Sequence, residues 1–267
     1  MNISIVDSHC HVYPEAIAAR AVEGIGSFYN IPMNLDGTVD CLLKRMDEGH
    51  IDHAVISSCA TRPAQVSPIN RFLAEAMKKS GGRLTALGTM HPDSPDQQAD
   101  FDEILSLGLH GVKMHHDFQR VAVDDPRCYP IYELCSCKVP MLLHTGDNRY
   151  DYTNPDRVAP VLREFPELRV VGAHLGGWSI WEEAVKTLGK FDNFCVDCSS
   201  SLYALTPEAA SRVIEAYGTD RVLFGSDYPM WNPAGELERF SALGFGEEDA
   251  RRILSDNARR VYGIGNA

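Results

Sequence analysis

Short apolar runs alternate with longer amphipathic stretches along nearly the whole chain. The runs are rich in β-branched residues and number eight, at residues 3–6, 54–56, 84–90, 111–114, 140–144, 169–174, 194–198 and 222–225. Short strands that alternate with helical segments favour parallel βαβ units over a sandwich of antiparallel sheets. Because a barrel of eight such units needs about 250 residues, the sequence predicts a single α/β domain over residues 1–267, a (β/α)8 TIM barrel.

Short sequence signals mark where helices begin and strands end. Residues 100–107 show helical spacing of apolar side chains, and Gly108 supplies a stop before the fourth strand. A capping side chain before a proline predicts four helix starts, at Ser67-Pro68, Ser94-Pro95, Asn154-Pro155 and Thr206-Pro207. The apolar runs predict strands that end at or near Asp7, Ser58, Thr89, Met114, His144, His174, Ser199 and Ser226.

Residues 13–36 are the least regular part of the sequence. They connect the first predicted strand to its helix, and loops of that length are uncommon unless they serve a function. In a barrel this connection lies at the carboxyl face of the strands. We therefore expect a long loop that covers the active site.

Composition and charge narrow the range of functions. The formal net charge of −12 disfavours nucleic acid and anionic membranes as partners, because both are themselves negatively charged. Eight cysteines are scattered through the chain, which is not the pattern of a disulfide framework. The first residues lack the basic region of a signal peptide, and no run of about 18 apolar residues occurs. These features lead us to expect a protein of the reducing cytoplasm.

The first candidate for chemistry is the pair of histidines in Asp7-Ser8-His9-Cys10-His11, at the end of strand one. Side chains alternate across a strand, so His9 and His11 share a face while Cys10 points away. Two neutral imidazoles side by side suit a divalent metal ion. Polar loop histidines are the alternative explanation of this pattern.

Three further ionisable residues follow apolar runs at other strand ends. His144 ends the fifth run, His174 ends the sixth and Asp227 follows the eighth. In a barrel these strand ends converge on one site. Burying so many ionisable groups together is costly, and a metal ion compensates that cost. The alternative is a set of core histidines whose ring nitrogens bond to backbone carbonyl groups.

Taken together, these motifs resemble the amidohydrolase superfamily, specifically the amidohydrolase-related group of TIM-barrel metal hydrolases and decarboxylases. The resemblance covers nearly the whole chain, through the segments DSHCH, GVKMHH, LLHTGD, GAHLGG, LFGSDYP and DNARRVYGI. It implies that His9, His11 and His144 are metal ligands, and that Asp227 is a ligand or the base beside the metal. It also implies that His174 is the catalytic histidine. A homo-oligomer is a further expectation from the family.

The ligand types also bear on the metal and its surroundings. Three histidines with one aspartate suit zinc, but also manganese, iron or cobalt; one ion is expected and a second is possible. Histidine ligands usually need an outer hydrogen-bond acceptor, for which nearby Asp7 is a candidate. Asp197, near the end of strand seven, is another residue that could serve in this outer layer.

Four residues are candidates for binding the substrate. Lys113 and His115 lie two apart on strand four and should share a face. Lys113 could bind a substrate anion, bridge two metals as a carbamate, or form a structural ion pair. Arg62 and Arg149 could each clamp a carboxylate in a bidentate way, or could be ordinary solvated loop arginines.

These features predict an enzyme that acts on a small-molecule substrate. The leading hypothesis is a metal-dependent hydrolase that uses an activated water on a C–N or C–O bond of a small polar substrate, such as an amide, cyclic amide, lactone or ester. The substrate could carry a carboxylate. The alternative is a lyase, either a non-oxidative decarboxylase or a hydratase, on the same scaffold. A barrel that only binds a metal or metabolite is the third hypothesis.

Overall fold

The computed structural model describes residues 3–265, and its strands follow one path around a barrel. Nine strand segments fill eight positions, because Leu87 separates β3 from β4 on a single strand path. The backbone N–H of Leu87 still donates to the carbonyl of Ile56, at 2.9 Å. The segments are β1 Val6–His11, β2 His53–Ser57, β3 Leu84–Ala86, β4 Gly88–Thr89, β5 Val112–Met114, β6 Met141–Leu143, β7 Val170–Gly172, β8 Phe194–Asp197 and β9 Val222–Leu223.

All paired strands are parallel and follow chain order. Backbone hydrogen bonds close the ring between β9 and β1, from Ser8 N to Phe224 O and from Asp227 N to His9 O, both at 2.8 Å. The predicted (β/α)8 barrel is therefore confirmed. Six of the eight predicted strand ends lie within two residues of the observed ones, while strand one runs four residues past Asp7 to His11 and β9 ends at Leu223, three residues before Ser226.

The helices surround the barrel and follow the strands in turn. They are α1 Glu15–Tyr29, α2 Val39–Glu48, α3 Val66–Lys79, α4 Gln97–Ser106, α5 His116–Gln119, α6 Tyr129–Cys135, α7 Pro155–Glu164, α8 Trp181–Leu188, α9 Pro207–Tyr217, α10 Pro233–Ser241, α11 Glu247–Arg251 and α12 Asn257–Tyr262. Short 3-10 turns precede α3 and α6, and a π-helical turn joins α11 to α12.

Two of the four predicted helix starts are confirmed. Helices α7 and α9 begin at the prolines that follow Asn154 and Thr206, and the Thr206 side chain accepts a hydrogen bond from Ala209 N. The other two predictions are wrong. Ser67 lies inside α3, where its hydroxyl bonds Glu103, and Ser94 precedes α4, which Asp96 caps instead. Both serines have carboxylate partners elsewhere in sequence, which the local pattern could not reveal.

The prediction of a long loop over residues 13–36 is also wrong, because this segment contains the 15-residue helix α1. The helix begins directly after Pro14 and ends at Asn30, which takes the left-handed conformation. Two glycines inside it hide the helical pattern. Gly26 is required by packing, since a Cβ there would lie 2.9 Å from the Ile31 carbonyl oxygen.

The barrel interior changes character from one end to the other. Its lower layer is aliphatic and packs against α12, through Val6, Val55, Leu142, Val171, Leu223, Ala258, Val261 and Tyr262. The next inward position on β6 after Leu142 is His144, because side chains alternate along the strand. An apolar floor thus lies beneath the ionisable strand ends.

Two expectations from composition can be compared with the described residues. Each of the eight cysteines is a free thiol, so the chain has no disulfide framework. Among residues 3–265 no helix combines the length and apolar character needed to cross a membrane.

Candidate metal centre and catalytic site

His9 and His11 lie side by side at the carboxyl end of β1. Their Nε2 atoms are 3.1 Å apart, and the strand register shifts between Asp7 and Cys10, the span that contains His9. Cys10 points to the other side of the strand, where its sulfur lies 3.9 Å from the Ser226 hydroxyl. The alternation expected from the sequence therefore places both imidazoles at the mouth of the barrel.

The orientation of His9 is fixed from the far side of its ring. Its Nδ1 lies 2.9 Å from Asp197 Oδ2 and 2.9 Å from the Ser199 hydroxyl. The carboxylate accepts a hydrogen bond from Nδ1–H, so Nε2 carries the lone pair and faces the site. Burial lowers the pKa of His9 to about 4, with the charge of Lys113 acting in the same direction. His9 is thus a neutral imidazole with a free electron pair.

Of the two outer acceptors considered from sequence, Asp197 bonds the His9 ring and Asp7 does not. Asp7 Oδ1 accepts hydrogen bonds from the backbone N–H groups of Ser226, at 2.9 Å, and His9, at 3.3 Å. Its carboxylate therefore ties strand one to the loop after β9. Burial raises the pKa of Asp7 to about 6 despite these hydrogen bonds.

Asp227 faces the two imidazoles of strand one. Its Oδ1 lies 3.3 Å from His11 Nε2 and 3.6 Å from His9 Nε2, while Oδ2 accepts a hydrogen bond from Ser200. Burial alone would raise the pKa of Asp227, but the hydrogen bond with His11 and the nearby histidines hold it well below its usual range. The ligand atoms of His9, His11 and Asp227 all lie within 4.8 Å of one another, close enough to share a metal ion.

His174 stands beside this group with one nitrogen engaged and one facing the cavity. Its Nδ1 lies 3.0 Å from the Ser199 carbonyl oxygen, which can only accept a hydrogen bond. The proton therefore belongs on Nδ1, and Nε2 carries the lone pair. That Nε2 lies 3.0 Å from His144 Nδ1, and the His174 ring stacks on His9 with centroids 5.4 Å apart.

His144 falls into a second group rather than into the predicted four-ligand set. Its Nε2 lies 3.3 Å from Asp117 Oδ2, and His115 Nδ1 lies 3.8 Å from the same oxygen. The His115 and His144 rings stack with centroids 4.0 Å apart. Both oxygens of Asp117 are buried and lack a hydrogen-bond partner, as do these two ring nitrogens. This second group could also hold a metal ion.

Lys113 is fully buried and points at the first group. Its Nζ lies 3.1 Å from His9 Nε2, and burial lowers its pKa. Within the part of the chain that the structure describes, Lys113 forms no ion pair with a carboxylate, so the structural ion pair considered from sequence is not formed. Binding of a substrate anion and bridging of two metals stay open as predictions.

Tyr29 is a site residue that sequence reasoning missed. It is the last residue of α1, and its hydroxyl lies 2.9 Å from His115 Nε2. Burial raises the pKa of Tyr29 well above its usual range, so the phenol keeps its proton and can donate a hydrogen bond to His115 Nε2. No local signal could have found Tyr29, because its segment was expected to be a loop.

A cavity of about 750 Å³ opens above these groups, with His11, Lys113, His115, His144, His174 and Asp227 among its lining residues. Arg62 lies at its exposed rim. Arg149 does not line it. The Arg149 guanidinium binds both oxygens of Asp147 and donates to the Phe28 carbonyl oxygen at 2.7 Å. This differs from the expected substrate clamp, because Arg149 instead fastens the end of α1 to the loop after β6.

Solved structures share this fold over nearly their whole length. An uncharacterised TIM-barrel protein from Bordetella bronchiseptica is 24% identical, with a TM-score of 0.82, and the match covers 97% of this chain and 98% of that one. A protein from Pseudomonas putida assigned as a 2-pyrone-4,6-dicarboxylic acid hydrolase is 20% identical, with a TM-score of 0.70 and full coverage of both chains.

A dihydroxybenzoic acid decarboxylase from Polaromonas sp. JS666, solved with manganese and the inhibitor 2-nitroresorcinol, is 16% identical with a TM-score of 0.73. This match covers 100% of the present chain and 98% of the decarboxylase. At these identities the likeness shows the fold alone. The sequence profile of the amidohydrolase family, however, matches residues 6–264. This chain belongs to the amidohydrolase family.

Proposed function

We propose that this protein is a metal-dependent hydrolase that cleaves a C–N or C–O bond of a small molecule. The observation that carries the proposal is the convergence of His9, His11 and Asp227 at the barrel mouth, with His174 beside them. Amide, cyclic amide, lactone and ester bonds all suit this arrangement, since each is cleaved by attack of water on a carbonyl group.

The residues present fit a divalent metal ion. His9 offers an Nε2 lone pair because Asp197 holds its other nitrogen, and Asp227 keeps a charged carboxylate beside His11. Imidazole and carboxylate donors suit zinc first, and manganese, iron or cobalt as well. When bound, the ion activates water as a nucleophile at neutral pH. His144 completes the predicted set, and its Nδ1 lies 3.0 Å from Nε2 of His174, the residue that stacks on His9.

The protein's own groups move protons and orient the substrate. His174 lines the cavity, and its Nε2, 3.0 Å from His144 Nδ1, carries the lone pair that can accept a proton from the attacking water and return it to the leaving atom. The Asp227 carboxylate can accept the same proton. Lys113 and the Tyr29–His115 pair line the cavity where a substrate oxygen would lie, so they can donate hydrogen bonds to it.

A decarboxylase is the second candidate function, because a decarboxylase is among the proteins that share this fold. In that reaction His174 would deliver a proton to carbon after carbon dioxide leaves. The test is to incubate the metal-loaded protein with a panel of lactones, amides, esters and aromatic carboxylates. Release of an acid, amine or alcohol supports the hydrolase, and release of carbon dioxide supports the lyase. Tight binding of metabolites without any turnover would contradict both.

A further inference from the structure

One face of α1 forms, with the start of α3, a wall of the cavity that the catalytic groups do not occupy. We propose that this wall is a subsite for an apolar portion of the substrate, and that Arg20 and Arg62 bind a carboxylate at its open end. The inference rests on the proposed function and names its substrate class: an aryl or alkyl body that carries a carboxylate remote from the bond that reacts.

The spacing of the α1 residues shows that a single helix face lines the cavity. These residues recur at intervals of three or four, as Ile17, Arg20, Ala21, Gly24, Ile25 and Phe28. The stripe spans about 16 Å along the helix axis. Ile17 is 52% exposed, which is unusual for a large aliphatic side chain within a compact cavity wall. Pro68, Ile69 and Phe72 of α3 supply the facing apolar surface.

Gly24, a glycine inside α1, gives the strongest support for a ligand bound against this wall. Glycine inside a helix costs about 1 kcal/mol relative to alanine. Packing requires Gly26, but a Cβ at Gly24 would meet nothing within 4 Å. The fold therefore gains nothing from the missing side chain at Gly24. Gly24 is exposed and lines the same cavity as His11 and Lys113, so the open space beside it is accessible to a substrate.

The charge at the cavity mouth indicates the other half of the substrate. Arg20 and Arg62 are both exposed and both line the cavity. Within residues 3–265, neither guanidinium forms an ion pair, whereas Arg149 is bound by Asp147. The protein has a net charge of −12, so these two guanidinium groups at one opening create a local positive charge that attracts an anion. Guanidinium matches a carboxylate through two parallel hydrogen bonds.

The size of the cavity fits such a substrate. Ligand sites usually measure roughly 300–1,000 Å³ and are mostly apolar with a few placed polar groups. The cavity of about 750 Å³ has this composition. Ionisable groups lie at the strand ends, and an apolar wall leads from them to the two arginines. A molecule that reaches from His174 to Arg20 must therefore be apolar in its middle.

Calorimetric binding of 6-phenylhexanoate tests the proposal, with 6-phenylhexan-1-ol as the uncharged probe. The metal-stripped protein is used alongside the metal-loaded one, so that binding is measured without turnover. Gly24→Leu should weaken binding of both probes by about tenfold or more, because its side chain fills the space. The matched control is Gly235→Leu, at a helical glycine of α10 that also has open space and does not line the cavity.

The arginines are tested with the Arg20→Gln/Arg62→Gln protein, against Arg212→Gln at an exposed site on α9. We expect the double variant to bind the carboxylate about fivefold more weakly and the alcohol as the wild type does. No binding to the wild type, equal binding by Gly24→Leu and Gly235→Leu, or an unchanged carboxylate affinity in the double variant would each overturn the proposal. Binding that follows these expectations in a protein without turnover would support the subsite while the hydrolase proposal fails.

Discussion

Two of the buried carboxylates that face imidazoles at the mouth of this barrel, Asp197 and Asp117, differ sharply in their hydrogen bonding. Asp197, at the end of β8, accepts hydrogen bonds from His9 Nδ1 and from the backbone N–H groups of His174 and Ser199. The contact with His9, together with His174 and the Ser199 hydroxyl, holds the pKa of Asp197 far below its usual range, against the effect of burial. Asp117, in α5, has no hydrogen bond at either oxygen, and burial raises its pKa to about 7.

The difference shows how hydrogen bonding prepares a ligand before any metal arrives. Asp197 holds His9 in one tautomer and one orientation, so the group of His9, His11 and Asp227 is already arranged to bind an ion. Asp117 lies 3.3 Å from His144 without such an arrangement. We therefore expect the first group to bind the tighter ion.

The largest expected effect comes from removing two donors of the first group. The His9→Ala/His11→Ala protein should lose its tightly bound metal and its activity, because two of about four predicted ligands are removed. Elemental analysis of the purified protein measures this directly. The matched variant His115→Ala/Asp117→Asn should keep the tight ion. Metal retained in the first variant and lost in the second would reverse our ranking of the two groups.

The next effect separates His174 from His144, which touch each other at 3.0 Å. His174→Asn should keep the metal while kcat and kcat/KM fall together by roughly 10²–10⁴, the usual worth of one acid–base group. His144→Asn should lose metal and activity in parallel. Metal analysis with steady-state kinetics decides between them. Loss of metal only in His174→Asn would show that the two roles are exchanged.

A smaller effect tests the two carboxylates themselves. Asp197→Asn removes the charged acceptor of His9, so metal affinity should fall by about tenfold to hundredfold. Asp117→Asn keeps the shape of a side chain that has no hydrogen bond to lose, and should change this affinity less. Competition with a chelator of known affinity measures both variants. Equal losses would mean that Asp117 orients a ligand just as Asp197 does.

The last expected effect is on stability and concerns Glu236. This buried carboxylate belongs to neither imidazole group and pairs with Arg239. Burial raises its pKa from 4.5 to about 7. Because the folded state holds this proton more tightly, its contribution to stability is complete below pH 4.5 and is lost as the pH rises through 7.

Relative to Glu236→Gln, the wild type should therefore lose about 2 kcal/mol of unfolding free energy between pH 5 and pH 8. Urea unfolding across this range gives the comparison, with Glu238→Gln as an exposed control on the same helix. Metal content and turnover should not change. Parallel pH profiles for wild type and Glu236→Gln would contradict the prediction.

The residues that sequence analysis located share one property, since each follows an apolar run at the end of a strand. His9, His11 and Asp227 could be placed together because strand ends converge in any parallel barrel. Their proximity is visible in the structure, and their roles as ligands stay predictions. Strand periodicity is a strong signal, because every second side chain must enter a crowded interior.

The residues that sequence analysis missed depend on contacts between distant segments. Tyr29 reaches His115 only because α1 crosses the cavity, and the glycines of α1 concealed that helix. Asp7 and Asp197 are both candidates for the outer acceptor, but the sequence could not show that Asp197 bonds the His9 ring while Asp7 bonds the Ser226 backbone. Tertiary contacts of this kind leave no periodic signature in the chain.

The closed floor of the barrel has a kinetic consequence. In the part of the chain that the structure describes, α12 packs under the lower end through Val261 and Tyr262, and the cavity lies at the opposite end, lined in part by α1. Entry and exit then share one passage, and a leaving group must depart before the next molecule can arrive. For good substrates, product release through this passage should limit the rate, so added viscosity should slow their turnover more than that of poor substrates.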